Sequence, residues 1–167
     1  MQLLLDSTDR RVKSDNIMYN SAVSACEKAK EWRLAVQLLH DMAAGHLQKD
    51  VFTYSAAISA CEKGEEWLPA LQLLHDMVGS RVERNTITYN AALSACEKGK
   101  EWRQALQLLS DIVGGRIDPN TITYNAALSA CEKCAEWQPA LQVLGDMAGR
   151  CVERNTITYN ATVSACE

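Results

Sequence analysis

The sequence predicts an all-α fold, a solenoid of stacked helix-turn-helix hairpins, and three observations predict it. The first is a beat of 35 residues: tyrosine recurs at Tyr19, Tyr54, Tyr89, Tyr124 and Tyr159, tryptophan at Trp32, Trp67, Trp102 and Trp137, and cysteine at Cys26, Cys61, Cys96, Cys131 and Cys166. A fixed period of this size marks copies of one supersecondary unit, each packing mainly on its neighbours. The second is that the copies are near-literal: residues 86–98 and 121–133 both read TITYNAALSACEK. The third is that the apolar residues within a copy fall at helical spacing, with no strand-like alternation.

Full units run 16–50, 51–85, 86–120 and 121–155. Residues 1–15 align with the end of a preceding unit, MQLLLDS against LQLLHDM at 71–77, and residues 156–167 with the start of a further one. The chain therefore reads as a segment of a longer array. In the unit 86–120, Tyr89, Ala92, Leu93 and Cys96 stand at i, i+3, i+4 and i+7 and predict a first helix over roughly 88–98. Gly99, like Gly64 one unit earlier, is placed to take the left-handed conformation that ends a helix. Trp102, Ala105, Leu106, Leu109 and Ile112 form a second stripe and predict a second helix over roughly 101–113. Gly114-Gly115 ends it and Pro119 bars continuation. The small residues Ala91, Ala92, Ala95 and Cys96 let neighbouring helices approach closely. Trp102 is expected to fill the wedge between the two helices, and both it and Tyr89 read as core.

Hydrophobic residues make up 47% of the chain, enough for a continuous core, yet no apolar run approaches the length of a membrane span. The first fifteen residues show no charged stretch followed by a long apolar one, so no targeting peptide is read there. The five periodic cysteines lie about 50 Å apart in helical contour and read as small buried thiols in a reducing compartment. A net charge of −4 weighs against a polyanionic partner unless the charges segregate.

Subtracting the core stripe from the first helix leaves a second, quieter beat. The second residues of the units are Ile17, Phe52, Ile87, Ile122 and Ile157; the fifth are Asn20, Ser55, Asn90, Asn125 and Asn160; the ninth are Ser24, Ser59, Ser94, Ser129 and Ser164. The thirteenth is lysine: Lys28, Lys63, Lys98 and Lys133. Asparagine is a mediocre helix former, because its amide competes for backbone hydrogen bonds, and an isoleucine beside it gains nothing from water. Duplication could have copied a merely tolerated surface. The alternative is a binding strip, in which an apolar residue sandwiches a flat base, an amide reads its edge and a lysine meets its phosphate.

The segment NTITYNAALSACEKGKEWRQALQLLSDIVGGRIDP and its copies resemble pentatricopeptide repeats over essentially the whole chain. The period, the Thr-Tyr-Asn start, Ala-Leu in the second helix and the Ile-Asp-Pro-Asn close at 117–120 carry the resemblance. Tetratricopeptide repeats place their tryptophan at the start of the first helix, whereas Trp102 opens the second. The resemblance implies a right-handed α-solenoid that binds single-stranded RNA, one base per repeat. It implies that the fifth and last residues of a repeat select the base and that the second residues clamp it. Carried over, the selecting pairs are Asn20 with Asp50, Ser55 with Asn85, Asn90 with Asn120, and Asn125 with Asn155, which the family's code reads as U, A, pyrimidine, pyrimidine. Asp15 and Asn160 belong to two further pairs. Phe52 departs from the isoleucine pattern and should stack better. The resemblance also implies work in a mitochondrion or chloroplast, in RNA processing, stability or translation, with any effector protein or domain outside this segment. A protein-interaction solenoid of tetratricopeptide type is the competing function.

The last residue of each unit also suits a helix cap or Asx-turn. Glu31, Glu66, Glu101 and Glu136 begin the second helix, and Asp41, Asp76, Asp111 and Asp146 lie near its end, so much of the acidity belongs to the other surface. Each lysine of the row nevertheless follows a glutamate: Glu27, Glu62, Glu97 and Glu132. Cys131 and Cys134 match C-x-x-C, but no second pair completes a zinc site. His40, His75 and His46 read as surface. No phosphate-cradling glycine loop occurs. Neither catalytic residues, a metal nor a cofactor is expected.

Overall fold

The computed structural model describes the backbone of residues 2–115 and 117–167, and side chains from residue 16 onward apart from 116. Nine helices follow one another among the described residues: α1 Gln2–Ala29, α2 Trp32–Ala44, α3 Val51–Lys63, α4 Trp67–Gly79, α5 Thr86–Lys98, α6 Trp102–Gly114, α7 Thr121–Glu132, α8 Trp137–Gly149 and α9 Thr156–Ser164. From α3 onward the first helix of each hairpin begins at the first residue of a unit, two residues earlier than the apolar stripe alone suggests.

α1 is longer than its sequence alignment suggests, running unbroken from the tail of one unit through the first helix of the next. Every other unit carries glycine where its second helix ends, at Gly45, Gly79, Gly114 and Gly149; the aligned positions here are Asp9-Arg10. Without that stop, helical hydrogen bonding continues.

The first helices α1, α3, α5, α7 and α9 pack in a row, and each second helix packs on the first helix of its own hairpin and of the next. Small side chains make the inner row tight: Ala57, Ala60 and Cys61, with Ala92, Ala95 and Cys96, are fully buried. Tyr54, Tyr89 and Tyr124 are buried beneath them, with Met42, Met77, Ile112 and Met147 supplied by the second helices. Burying a Leu- or Met-sized side chain is worth about 1.5–3 kcal/mol, so each hairpin gains its stability from the neighbours that cover this stripe. Tyr159, on the last helix, is 48% exposed.

The helix ends differ from expectation. Gly64 and Gly99 have φ of −84° and −74°, ordinary right-handed values. The left-handed residue is the next one: Lys30, Glu65, Lys100 and Ala135 have φ of 61°, 62°, 57° and 54°. Each end closes with two backbone bonds, for example Glu66 N–H to Cys61 C=O at 2.9 Å and Glu65 N–H to Glu62 C=O at 3.1 Å, the Schellman pattern. Glycine is present for space. A Cβ on Gly64 would lie 2.7 Å from Trp32 Cδ1, and one on Gly99 2.5 Å from Trp67 Cδ1. The tryptophan thus wedges the start of a second helix against the end of the next unit's first helix, one joint further along than expected.

Candidate nucleic-acid interface

The second, fifth and ninth residues of the units converge on the outer surface of the first-helix row. Ile17, Phe52, Ile87, Ile122 and Ile157 are 57–68% exposed, an unusual cost for large apolar side chains. They stand in file, and the fifth residue of each unit lies between two of them. Ile17, Asn20, Ser24, Lys28 and Phe52 line one hollow of about 510 Å³. Phe52, Ser55, Ser59, Asn85 and Ile87 line the next, of about 530 Å³. A third hollow, of about 490 Å³, is lined by Ile87, Asn90, Ser94, Ile122, Asn125 and Ile157 among others. Along the groove, apolar side chains therefore alternate with the polar fifth residues. Asn160 is exposed on α9; the side chain of Asp15 lies outside the described ones.

The last residue of each unit is the N-cap of the next first helix. Asp50, Asn85, Asn120 and Asn155 adopt extended backbone, and their side chains accept from the N–H of Thr53, Thr88, Thr123 and Thr158. Three of them complete a reciprocal capping box with the threonine hydroxyl. In two units the cap residue also meets the fifth residue of the preceding first helix. Asn125 Nδ2 donates to Asn155 Oδ1 at 3.2 Å, and Asn20 Nδ2 approaches Asp50 Oδ2 at 3.5 Å. The capping role expected of this residue is met at all four positions.

Sequence reasoning missed the threonine. Thr53, Thr88, Thr123 and Thr158, the third residue of four units, are fully buried. The hydroxyls of Thr53, Thr123 and Thr158 each lie within hydrogen-bond distance of two acceptors: Oδ1 of the fifth residue of the preceding unit, at 2.7 Å in Asn20, 2.8 Å in Asn90 and 2.7 Å in Asn125, and Oδ1 of the cap residue, at 2.7 Å in Asp50, 3.0 Å in Asn120 and 3.1 Å in Asn155. Thr88 does not reach Ser55. Its hydroxyl donates to the Asn85 carbonyl at 2.8 Å, while Ser55 Oγ donates to the Val51 carbonyl at 2.7 Å. The recurrence of threonine was visible in the sequence, but its partner lies 33 residues away.

The lysine row is not a free basic track. Lys63 pairs with Glu27 at 2.7 Å, Lys98 with Glu62 at 3.1 Å and Lys133 with Glu97 at 2.9 Å, each reaching back to the previous unit. Glu62 and Glu97 also line the third hollow. The glutamate that precedes each lysine points the same way, so the row alternates in sign; Lys28 is exposed at the edge of the first hollow. Exposed pairs of this kind contribute about 0–1 kcal/mol each.

Cys26, Cys61, Cys96 and Cys131 are buried. Burial, followed by Glu66, pushes the Cys61 thiol up to about 12; burial and Glu101 do the same at Cys96, and at Cys131 the rise is to about 11. Thiols so protonated are poor nucleophiles and poor metal ligands. No group of three or more His, Cys, Asp or Glu gathers into a metal-holding cluster among the described residues. His40, His46 and His75 are exposed.

The fold and groove define a class: a helical-hairpin solenoid with an exposed apolar residue and a polar residue recurring in each unit of its groove. The pentatricopeptide repeat domain profile matches residues 2–63 and 72–134, and the single-repeat profile matches 52–82 and 122–152. The chain belongs to the pentatricopeptide repeat family. No curated protein sequence matches it. Among solved structures it is similar to the PPR domain of Arabidopsis thaliana protein-only RNase P 1 in complex with tRNA, at 14% identity and a TM-score of 0.78, covering 89% of this chain and 79% of that one. It is also similar to the pentatricopeptide repeat protein PPR10 from maize, at 19% identity and a TM-score of 0.78, covering 96% of this chain and 24% of that one. PPR10 in complex with an 18-nt psaJ RNA element aligns at 20% identity with a TM-score of 0.72. The chain thus spans about a quarter of the maize protein, and these likenesses support the shared solenoid fold.

Proposed function

We propose that this chain is a sequence-reading module for single-stranded RNA, taking one base per unit along the groove of the first helices. The observation that carries this reading is the file of exposed Ile17, Phe52, Ile87, Ile122 and Ile157 with a polar reader between each pair. Apolar side chains spaced to flank a planar ring, with a hydrogen-bonding group at its edge, fit bases splayed from a single strand. Membership of the family points the same way, as do two neighbours seen with RNA. The selecting pairs Asn20–Asp50, Ser55–Asn85, Asn90–Asn120 and Asn125–Asn155 give a register of U, A, pyrimidine, pyrimidine, with Asn160 and Asp15 belonging to flanking positions. The chain's part is recognition; any chemistry on the transcript falls to a partner or to sequence beyond this segment. We place its work in organellar RNA processing, stability or translation, in a mitochondrion or chloroplast.

The test is binding to a randomised short RNA library, followed by fluorescence anisotropy on the enriched sequences. Enrichment of U-A-pyrimidine-pyrimidine, lost in an Asn90→Ala, Asn125→Ala double variant, is expected. Equal binding of all sequences by both proteins would refute the register.

A further inference from the structure

We infer that the buried threonines Thr123 and Thr158 set the orientation of the amides of Asn90 and Asn125, and Asp50 that of Asn20, so that all three offer the groove a hydrogen-bond donor. This rests on the RNA-reading function proposed above and concerns how discrimination is achieved there.

A carboxamide carries an acceptor at one tip and a donor at the other, and a half-turn exchanges them. On an open helix surface both orientations are accessible, and such an amide discriminates poorly. Here the orientation is dictated from behind. The Asn120 backbone N–H donates to Thr123 Oγ1 at 3.2 Å, and the Asn155 N–H to Thr158 Oγ1 at 3.1 Å. A hydroxyl that accepts from the backbone keeps its single proton for giving. The cap's Oδ1 already takes the threonine N–H, at 3.0 Å in Asn120 and 3.1 Å in Asn155. The hydroxyl has two oxygens in reach, the cap's own Oδ1 at 3.0 Å in Asn120 and 3.1 Å in Asn155 and, across the joint, the nearer fifth-residue Oδ1 at 2.8 Å in Asn90 and 2.7 Å in Asn125. The shorter contact and the N–H already held by the cap assign the proton to the fifth residue, whose facing atom is then the oxygen. The Nδ2 group is left turned away from the threonine. At Asn20 the same orientation follows from charge. Its neighbour Asp50 is acceptor-only, so facing it with Oδ1 would set two acceptors 3.5 Å apart, while Nδ2 meets it as a donor. Because the threonines are fully buried, water cannot substitute for these bonds, and a flipped amide at Asn90 or Asn125 would leave the hydroxyl only the longer contact to a cap oxygen that already accepts the threonine N–H.

A donor facing the base edge meets the O2 atom that uracil and cytosine both carry. Guanine places an amino group there and adenine a C–H. The fixed amide therefore favours pyrimidines. The second unit supplies the contrast within the same molecule. Thr88 spends its proton on the Asn85 carbonyl and Ser55 spends its own on Val51. Ser55 Oγ then shows the groove only lone pairs, which suit a base with an exocyclic amino group.

The experiment compares Thr123→Val with Thr88→Val on RNAs that differ only in the base opposite Asn90 or opposite Ser55, with melting temperature recorded for each variant. Both substitutions remove a capping box, so both should lower stability alike. Only Thr123→Val should flatten the base preference, by about three- to tenfold at the Asn90 position, the worth of one hydrogen bond. Thr123→Ser, which keeps the hydroxyl, should restore it. Asn90→Asp removes the donor without touching the core and should abolish the pyrimidine preference even if Thr123→Val does not fold. A wild-type preference in Thr123→Val or in Asn90→Asp overturns the inference. If the wild-type chain binds no RNA, the proposed function fails, and amide orientation is then judged in the free protein by NMR. Strong cross-peaks from the Asn90 carboxamide protons to the Thr123 methyl would place nitrogen where the inference requires oxygen.

Discussion

Replacing Gly99 by alanine sets two effects of opposite sign against each other. Gly99 caps α5 at φ −74°, which alanine adopts without strain, and on conformational grounds alone the change should stabilise by about 0.4–1 kcal/mol. The new Cβ, however, would lie 2.5 Å from Trp67 Cδ1 and 3.0 Å from Cγ. Carbon atoms rest about 3.5–4.0 Å apart, so the indole must retreat by about 1 Å. Trp67 opens α4 and packs against the core, so its retreat loosens the joint between α4 and α5. Overpacking of this kind costs about 1–3 kcal/mol, and the net expectation is destabilisation by about 1–2 kcal/mol. The fourth unit limits the cost. Cys134 holds the equivalent place there, with its thiol donating to the Lys100 carbonyl at 3.2 Å, so a side chain can be accommodated if the joint is rebuilt. Gly145→Ala is the control: it lies inside α8 with nothing within 4 Å of a new Cβ, and should gain up to about 1 kcal/mol from helix propensity. Thermal and urea unfolding followed by circular dichroism read both, at about 2–4 °C per kcal/mol for a chain of this length. A Gly99→Ala protein as stable as wild type would refute the claim that this glycine exists to admit tryptophan.

Glu97→Gln releases Lys133 from its 2.9 Å pair and should raise RNA affinity about two- to fivefold; Lys133→Gln should lower the salt slope of binding by about 0.7. No change in either, by anisotropy across a salt series, removes the lysine row from the interface. Lys100→Gly should stabilise by about 1 kcal/mol in urea unfolding, because Lys100 is held at φ 57°, where only glycine sits without cost. The buried thiols give a pH dependence of definite sign. Cys61, Cys96 and Cys131 stay protonated in the fold to about 12, 12 and 11, whereas an unfolded thiol ionises near 8.5–9. Their contribution is complete below that value and is lost as pH rises through 9 to 12, at about 1.4 kcal/mol per unit per thiol. Urea midpoints should fall between pH 8 and pH 10, and fall less steeply in Cys96→Ala.

Much of this was legible in the sequence because repetition amplifies a weak signal. One stripe of Tyr, Ala, Leu and Cys predicts a helix poorly; the same stripe repeated each unit fixes its period, its core face and its leftover face. The groove residues emerged by subtraction, since Ile87 and Asn90 have no reason to recur on a solvated helix. Other features depend on contacts between units, which a repeat alignment does not display. Gly99 looked like a conformational device, and it serves instead to admit a tryptophan from the previous hairpin. The glutamate beside each lysine was visible, but only geometry shows it pairing with the following unit's lysine. Thr123 drew no reading of its own, because its contact with Asn90 crosses a unit boundary. The continuity of α1 reflects a missing stop at Asp9-Arg10, an absence that alignment to more regular copies conceals.

If the cap residue also selects the base, as proposed, capping and reading share atoms at the unit boundary, and this limits how the array can be altered. The side chain of Asn120 closes the first turn of α7 by accepting from Thr123 N–H at 3.0 Å, so any replacement must do the same. Asp, Asn, Ser and Thr can; alanine cannot, at a cost of about 0.5–2 kcal/mol. Asn120→Ala should therefore lose stability with no RNA present. Asn120→Asp should keep the cap, as Asp50 does at α3, and strengthen it through the helix dipole by about 0.3–1 kcal/mol. It would also turn the third selecting pair into the Asn–Asp combination of the first, so the base preferred opposite Asn90 should move from either pyrimidine to uracil. Urea midpoints without RNA and anisotropy with RNA separate the two roles. If Asn120→Ala were as stable as wild type, the residue would be a reader only, and the array could vary this position freely.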